Sequence, residues 1–303
     1  MEPLNNMKIN YFVKIGRFLL YLLGMIIISF AALLIIINNI LNTPPSNDPQ
    51  NFIKHYGANH TDPEKPVVMT IGDSITHGVM SHNYSKMIED KLSAYGYQTV
   101  NAGINSDLAY SVVQRIDDIL ACKPKIVTVL IGTNDVMSTF PNENIFYALT
   151  GRIPFGQKTS LDFYIDNLSI LIRKLKSLPD VEIYLYSLPV IGEDLDSFQN
   201  KEIMRFSEAI KKISEKENLT YLPLNERMQD YLTQSPTIDG LKFGELQFAN
   251  VRTIIQSKVL GYSWNKISEK NKLQLTTENI HLNEKGAAMV ANLALEKILP
   301  SLQ

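Results

Sequence analysis

The chain has 303 residues, 45% hydrophobic and 20% charged, with a formal net charge of −2. These proportions are ordinary for a globular protein of one or two domains. Lys8, Lys14 and Arg17 against Glu2 leave the first 43 residues at +2 and the remainder at −4. That argues against a nucleic-acid partner, which needs clustered Lys and Arg. The single cysteine, Cys122, excludes an intrachain disulfide and reads as a packed thiol beside the apolar run Ile126 to Ile131 rather than a catalytic one.

Phe18 to Ile37 (FLLYLLGMIIISFAALLIII) contains no charge. As a helix it spans about 30 Å, the thickness of a bilayer core. Lys14 and Arg17 precede the run, and the next charge is Asp48. By the positive-inside rule the N-terminus stays in the cytoplasm and the rest lies outside. A cleaved signal peptide is the competing reading. Its apolar region is usually only about 7–15 residues and ends at a small-residue site. Ala31-Ala32 instead sits inside the run, so an uncleaved anchor is preferred. The expected localisation is a single-pass membrane protein with an extracytoplasmic domain.

The segment after the run holds Pro44-Pro45, Pro49, Asp62-Pro63 and many Asn, which reads as turn chemistry. The expected division is a cytoplasmic tail and anchor over 1–43, a linker over 44–65 and a folded domain over 66–303.

Strand and helix patterns then alternate. Val67 to Ile71 is a strand, Tyr84 to Tyr95 an amphipathic helix, and Gln98 to Asn101 a second strand. Leu108 to Ala121 is helical, and Ile126 to Ile131 (IVTVLI) has the apolar, β-branched character of a strand buried on both faces. A helix over Thr159 to Leu178 and a strand over Val181 to Tyr186 follow. Next come a helix marked by Ile203, Phe206, Ile210 and Ile213, and a strand over Thr220 to Leu224. A last helix runs from about Glu284 to Leu299, with Asn283 placed to cap it. The expected fold is a three-layer α/β/α domain around a five-stranded parallel sheet of flavodoxin-like order. Ligands bind such sheets beyond the C-terminal strand ends, so the residues after each strand are the functional candidates.

After the first strand comes Gly72-Asp73-Ser74-Ile75-Thr76. A serine in a strand-to-helix turn lies near helix amides that can stabilise an oxyanion, although Asp73 and Ser74 alone also read as a helix cap. After the second comes Asn101-Ala102-Gly103-Ile104-Asn105-Ser106, where glycine allows close backbone approach. After the third comes Gly132-Thr133-Asn134-Asp135. The Asn134 side chain is a potential oxyanion donor, or part of an ordinary turn.

A serine nucleophile needs a base. Of five histidines, His55 and His60 fall in the expected linker, His77 lies three residues past Ser74, and His82 sits in a polar loop. His281 remains, directly before the last helix. Glu278 three residues ahead can orient its imidazole, although a surface-loop histidine fits that position too.

Taken together, these segments resemble the blocks of the SGNH (GDSL-type) hydrolase family, in order. GDSIT at 72–76 resembles the nucleophile block, NAGINSD at 101–107 the glycine block, GTND at 132–135 the asparagine block, and ENIHLNEKG at 278–286 the histidine block. The resemblance covers about residues 66–303. It implies Ser74 as nucleophile, His281 as base, and an oxyanion hole from the Ser74 and Gly103 amides and the Asn134 side chain. Asp73 and Asp135 would hold their turns, and no metal or cofactor would be needed. The family usually has Asp where this chain has Glu278.

The implied activity is hydrolysis of carboxylic esters through an acyl-serine intermediate, with lipid or O-acylated glycan esters as substrates. An O-acyltransferase using the same site is one alternative, and an inactive anchored binding module another. Two stretches match no block: Ser138 to Lys158, with Phe140, Phe146, Tyr147 and Phe155, and Asn225 to Thr277, with Tyr231, Phe243, Phe248, Tyr262 and Trp264. They are long for connections in a compact domain and read equally as a substrate wall or as packing over the sheet edge.

Overall fold

The computed structural model describes residues 2–57, 65–141, 143–246 and 249–302. The chain divides into two compact units, Met1–Thr43 and Pro44–Gln303. The first is helix α1 (Glu2–Asn42). Its Lys14–Asn42 portion is, among the described residues, the one helix long and apolar enough to cross a membrane.

The second unit begins earlier than expected. Residues 44–57 are not linker: they contain α2 (Pro49–Tyr56), started by Asp48 at its N-cap and Pro49 at its first position. Those residues read as turn chemistry in sequence, but they are also helix-start signals. The Asn47 side chain donates to the Thr99 carbonyl (2.8 Å), and the Asn101 amide donates to the Asn47 carbonyl (3.0 Å). Phe52 is buried in the main core. His60 and Asp62-Pro63 lie outside the described residues.

Five parallel strands, β1 (Val67–Gly72), β2 (Gln98–Gly103), β3 (Ile126–Leu130), β4 (Glu182–Tyr186) and β5 (Thr220–Leu222), form a sheet in the order β2-β1-β3-β4-β5. This is the flavodoxin-like order, and the strand order reverses at β1 and β3, where ligands are expected. Side chains alternate across the sheet as the strand pleat requires. Val67, Met69 and Ile71 of β1 and Val127 and Val129 of β3 face one core. That core is completed by α5 (Ala109–Gln114), α6 (Ile116–Ala121), α9 (Leu161–Leu175) and α10 (Phe198–Glu217). Val68, Ile126, Leu130, Tyr184 and Tyr186 face the other. There α4 (Tyr84–Leu92), α11 (Leu224–Gln234) and α14 (Glu284–Ile298) pack. The helix expected over 108–121 is interrupted at Arg115, whose side chain turns back to Asp107 and the Ala102 carbonyl.

The register places the candidate site. Gly72 at the end of β1 pairs with Gly103 of β2 on one side and Leu130 of β3 on the other. Whatever follows Gly72 is therefore flanked by the ends of both neighbours.

Candidate active site

Ser74 begins the one-turn helix α3 (Ser74–His77) directly after β1. Asp73 caps it, its Oδ1 accepting from the Ile75 amide at 3.0 Å. Two glycines make room for the turn. A Cβ on Gly72 would collide with Thr76 and the Leu130 carbonyl, and one on Gly103 with the Thr76–His77 backbone. The sheet end thus presses α3 against the Gly103 loop. As the first residue of its helix, Ser74 has an amide with no intrahelical acceptor.

His281 lies 207 residues away in sequence, yet its Nε2 is 2.8 Å from Ser74 Oγ. Its Nδ1 is hydrogen-bonded to Glu278 Oε1, which also accepts from the His281 amide at 3.1 Å. Glu278 Oε2 accepts from the Thr277 hydroxyl. All three side chains are buried, Ser74 at 8% exposure and Glu278 and His281 at 3% each. Asn279, between the two acidic and imidazole residues, has φ +82, so the turn is tight. A hydroxyl, an imidazole and a carboxylate in series can activate the hydroxyl for attack on a carbonyl carbon.

Asn134 sits in the first turn of α7 (Thr133–Ser138), across from the Gly103 loop. Its Nδ2 donates to Asp73 Oδ2 at 3.2 Å and to the Asp107 carbonyl at 3.1 Å. Its Oδ1 accepts from the Tyr147 hydroxyl at 2.9 Å. The Gly103 amide donates to Asn101 Oδ1 at 2.9 Å. Two of the three expected oxyanion donors, the Gly103 amide and Asn134 Nδ2, therefore hold internal acceptors. Asp135 accepts from the Ala109 amide through both oxygens, at 3.0 and 3.3 Å, tying α7 to α5.

Burial dominates the electrostatics here. It pushes the Asp73 carboxyl up to about 7, against the Ile75 amide, which lowers it. It pushes Asp135 up to about 8, against the Ala109 amide. Asp107 is raised by burial too, opposed by Arg115 and Arg152, whose guanidiniums stand at 2.8 and 2.7 Å. Cys122 is buried away from the site, and desolvation lifts its thiol to about 12, so it is no nucleophile at neutral pH.

The remaining histidines divide as follows. His55 is exposed on α2, and His77 is buried within α3. His82, in the polar loop after α3, is half-buried, and its amide donates to the Leu282 carbonyl of the histidine loop at 2.9 Å.

Several supporting residues carry no sequence signal of their own. Tyr147, on α8 (Glu143–Leu149), and Arg152 come from the first unmatched stretch and brace Asn134 and Asp107. Phe146 and Phe155 of the same stretch stay exposed. The second stretch folds into α11, α12 (Ala249–Ile254) and α13 (Trp264–Lys270), with Phe248 outside the described residues. From it, Ser268 accepts from the Asn283 side chain at 2.8 Å, and Asn271 Nδ2 donates to the Thr277 carbonyl at 2.6 Å.

Residues 70–289 match the model of the GDSL-like Lipase/Acylhydrolase family. The chain belongs to that family. It is accordingly an ester-hydrolysing enzyme of the SGNH type. Among solved structures, the acetyl xylan esterase AlAXEase is 22% identical, with a TM-score of 0.54 over 77% of this chain and 99% of its own. Axe2, an acetylxylan esterase from Geobacillus stearothermophilus, is 19% identical, with a TM-score of 0.53 over 78% and 94%. Solved catalytic mutants of Axe2 replace a serine, an aspartate or a histidine by alanine, the aspartate three residues before the histidine. No curated protein matches this chain by sequence.

Proposed function

We propose that this enzyme is a membrane-anchored serine esterase acting outside the cytoplasm through an acyl-serine intermediate, on O-acylated glycans bearing short acyl groups. The observation that carries the chemistry is the 2.8 Å contact between Ser74 Oγ and His281 Nε2. With Nδ1 protonated and donating to Glu278, Nε2 is free to accept the Ser74 proton as Oγ attacks the ester carbonyl. Glu278 then stabilises the imidazolium. The imidazolium returns the proton to the departing alcohol, and the acyl group stays on Ser74. Water, deprotonated by the same nitrogen, releases the acid and restores the hydroxyl.

The oxyanion takes hydrogen bonds from the Ser74 amide at the start of α3, the Gly103 amide and Asn134 Nδ2. Without substrate these last two donate internally, the Gly103 amide to Asn101 Oδ1 and Asn134 Nδ2 to Asp73 Oδ2 and the Asp107 carbonyl. The three-residue spacing of Glu278 and His281 equals that of the aspartate and histidine replaced in the catalytic mutants of Axe2, which supports Glu278 as the acid. The likeness to two acetylxylan esterases supports a glycan ester over a lipid ester. The apolar helix with Lys14 and Arg17 ahead of its uncharged run supports an anchor with the catalytic unit outside.

The test uses the full-length chain. A fluorophosphonate probe should label Ser74, and p-nitrophenyl acetate should turn over faster than longer esters. Acetate should be released from acetylated xylan. A folded protein that neither labels nor hydrolyses any ester would refute the mechanism, and a preference for long acyl chains would move the substrate to lipid. Protease added outside intact cells should remove the catalytic unit and leave a small membrane stub. Protection until lysis would reverse the orientation.

A further inference from the structure

We propose that Glu193, on the loop after β4, is the positioning residue that sets the Glu278–His281 pair against Ser74. The proposal rests on the Ser74–His281–Glu278 reading and extends it. Glu193 is 8% exposed, and among the described residues no Lys, Arg or His forms an ion pair with it. A buried anion without a counter-ion needs several donors. Here the donors are three successive backbone amides. Gln274 donates to Oε2 at 2.8 Å, and Leu275 and Thr276 donate to Oε1 at 2.8 and 2.9 Å. The Thr276 hydroxyl adds a fourth at 3.1 Å, and the Thr237 hydroxyl binds Oε2. Converging amides of this kind form an anion-binding nest, here filled by a side chain of the same protein.

The clamp lies at the stem of the histidine loop. Thr276 pairs with Leu282 as an antiparallel bridge, and the Thr277 amide donates to the His281 carbonyl at 2.7 Å. The turn carrying Glu278 and His281 therefore hangs directly from the residues Glu193 holds. The neighbouring Gly192 amide donates to the Asn279 carbonyl at 2.7 Å, which fixes the tip of that turn at its left-handed residue. Two adjacent residues thus grip stem and tip together. They follow β4, which is bound to β3 and through it to β1, the strand that delivers Ser74. The sheet is the common frame: β1 sets the hydroxyl, and the loop after β4 sets the imidazole. Misplacing a reacting group by about 1 Å can cost on the order of 10²-fold in rate.

Glu193→Gln keeps the shape but turns an NH₂ toward amides that need an acceptor. Expected is a fall in kcat of roughly 10–100-fold with KM changed less than about twofold. Fluorophosphonate should still titrate every site, but slowly. The low-field resonance of the His281 Nδ1 proton should shift or broaden. Glu193→Asp keeps the charge and should recover part of the rate. If Glu193→Gln does not fold, Glu193→Asp is read in the same assays against wild type. A folded variant with wild-type kcat and labelling rate overturns the proposal. So does a reduced titre whose surviving sites label at the normal rate, because that is loss of folded protein and not of alignment. Ser74→Ala runs alongside: an active Ser74→Ala defeats the triad and this proposal together, whereas an inactive Ser74→Ala beside a fully active Glu193→Gln defeats only the clamp.

Discussion

The turn that carries Ser74 and the loop that carries His281 hold their side chains by different means. Ser74 is placed by its immediate neighbours: a strand end, a capping aspartate, a one-turn helix, and two glycines that let strand ends and helix touch. Nearly all of that is written within five residues. The His281 loop is held from elsewhere, by Ser81, whose hydroxyl accepts from the Leu282 amide at 2.8 Å, by Ser268 and Asn271 on the side of α13, and by Glu193. A hydroxyl on a rigid sheet end needs little outside help, whereas an imidazole on an irregular loop needs many distant partners. Substitutions in the Ser74 turn should therefore act on chemistry or on the whole fold, and those around the loop should act on alignment.

The largest effect is expected from Ser74→Ala. If the loss seen on removing the nucleophile of another serine hydrolase carries over, kcat falls by about 10⁶. The domain should remain folded by circular dichroism. Near-normal turnover by a folded Ser74→Ala protein would end the acyl-serine mechanism.

Next comes Glu278→Gln, at the heart of the loop. It leaves the imidazole without its carboxylate, and kcat should fall on the order of 10⁴ if a mis-set tautomer costs here what it does in other triads. Glu278→Asp should give partial activity, since the loop is shaped around the longer side chain. Full activity in Glu278→Gln beside an inactive His281→Ala would reduce the site to a Ser74–His281 dyad.

Asn134→Ala should lower kcat by roughly 10²–10³ with little change in KM, the usual result of losing one oxyanion donor. Steady-state kinetics decide this. An unchanged kcat with a large rise in KM would make Asn134 a substrate-binding group, and its hydrogen bonds to Asp73 and Asp107 would then be its main duty in the resting state.

The smallest effect is on stability. Burial raises the Asp73 carboxyl to about 7 and that of Asp135 to about 8, well above the ordinary carboxylate range of about 4. Between those limits the folded protein holds protons that the unfolded chain releases. Their stabilising contribution is thus complete below pH about 4 and is lost as pH rises through about 7 to 8. Asp135→Asn cannot ionise, so its urea midpoint relative to wild type should climb between pH 5 and 9. A constant difference across that range would mean that Asp135 is ionised throughout, held by the Ala109 amide.

Some elements are written in the local sequence more completely than others. The strands were legible because burial on both faces leaves continuous apolar runs such as Ile126 to Ile131, and their ends marked Ser74, Gly103 and Asn134. α2 was not, because Asp48 and Pro49 serve turns and helix starts alike, and only the pocket that receives Phe52 distinguishes the two. Arg115, which appears in sequence as one more residue of a continuous helix, breaks that helix to reach Asp107.

The sequence by itself determined the sheet class, the apolar N-terminal helix and the four short blocks, because periodicity and strand-end chemistry are local properties. Tertiary structure alone decided that Ser74 and His281 meet, that Tyr147 braces Asn134, and that Glu193 binds the amides of Gln274 to Thr276. Those contacts join residues from 13 to 207 positions apart. Hydrogen bonds to backbone amides impose no residue type on the donor side, so nothing at Gln274, Leu275 or Thr276 announces a carboxylate partner. Only a fold that brings the loop after β4 beneath the histidine loop can reveal it.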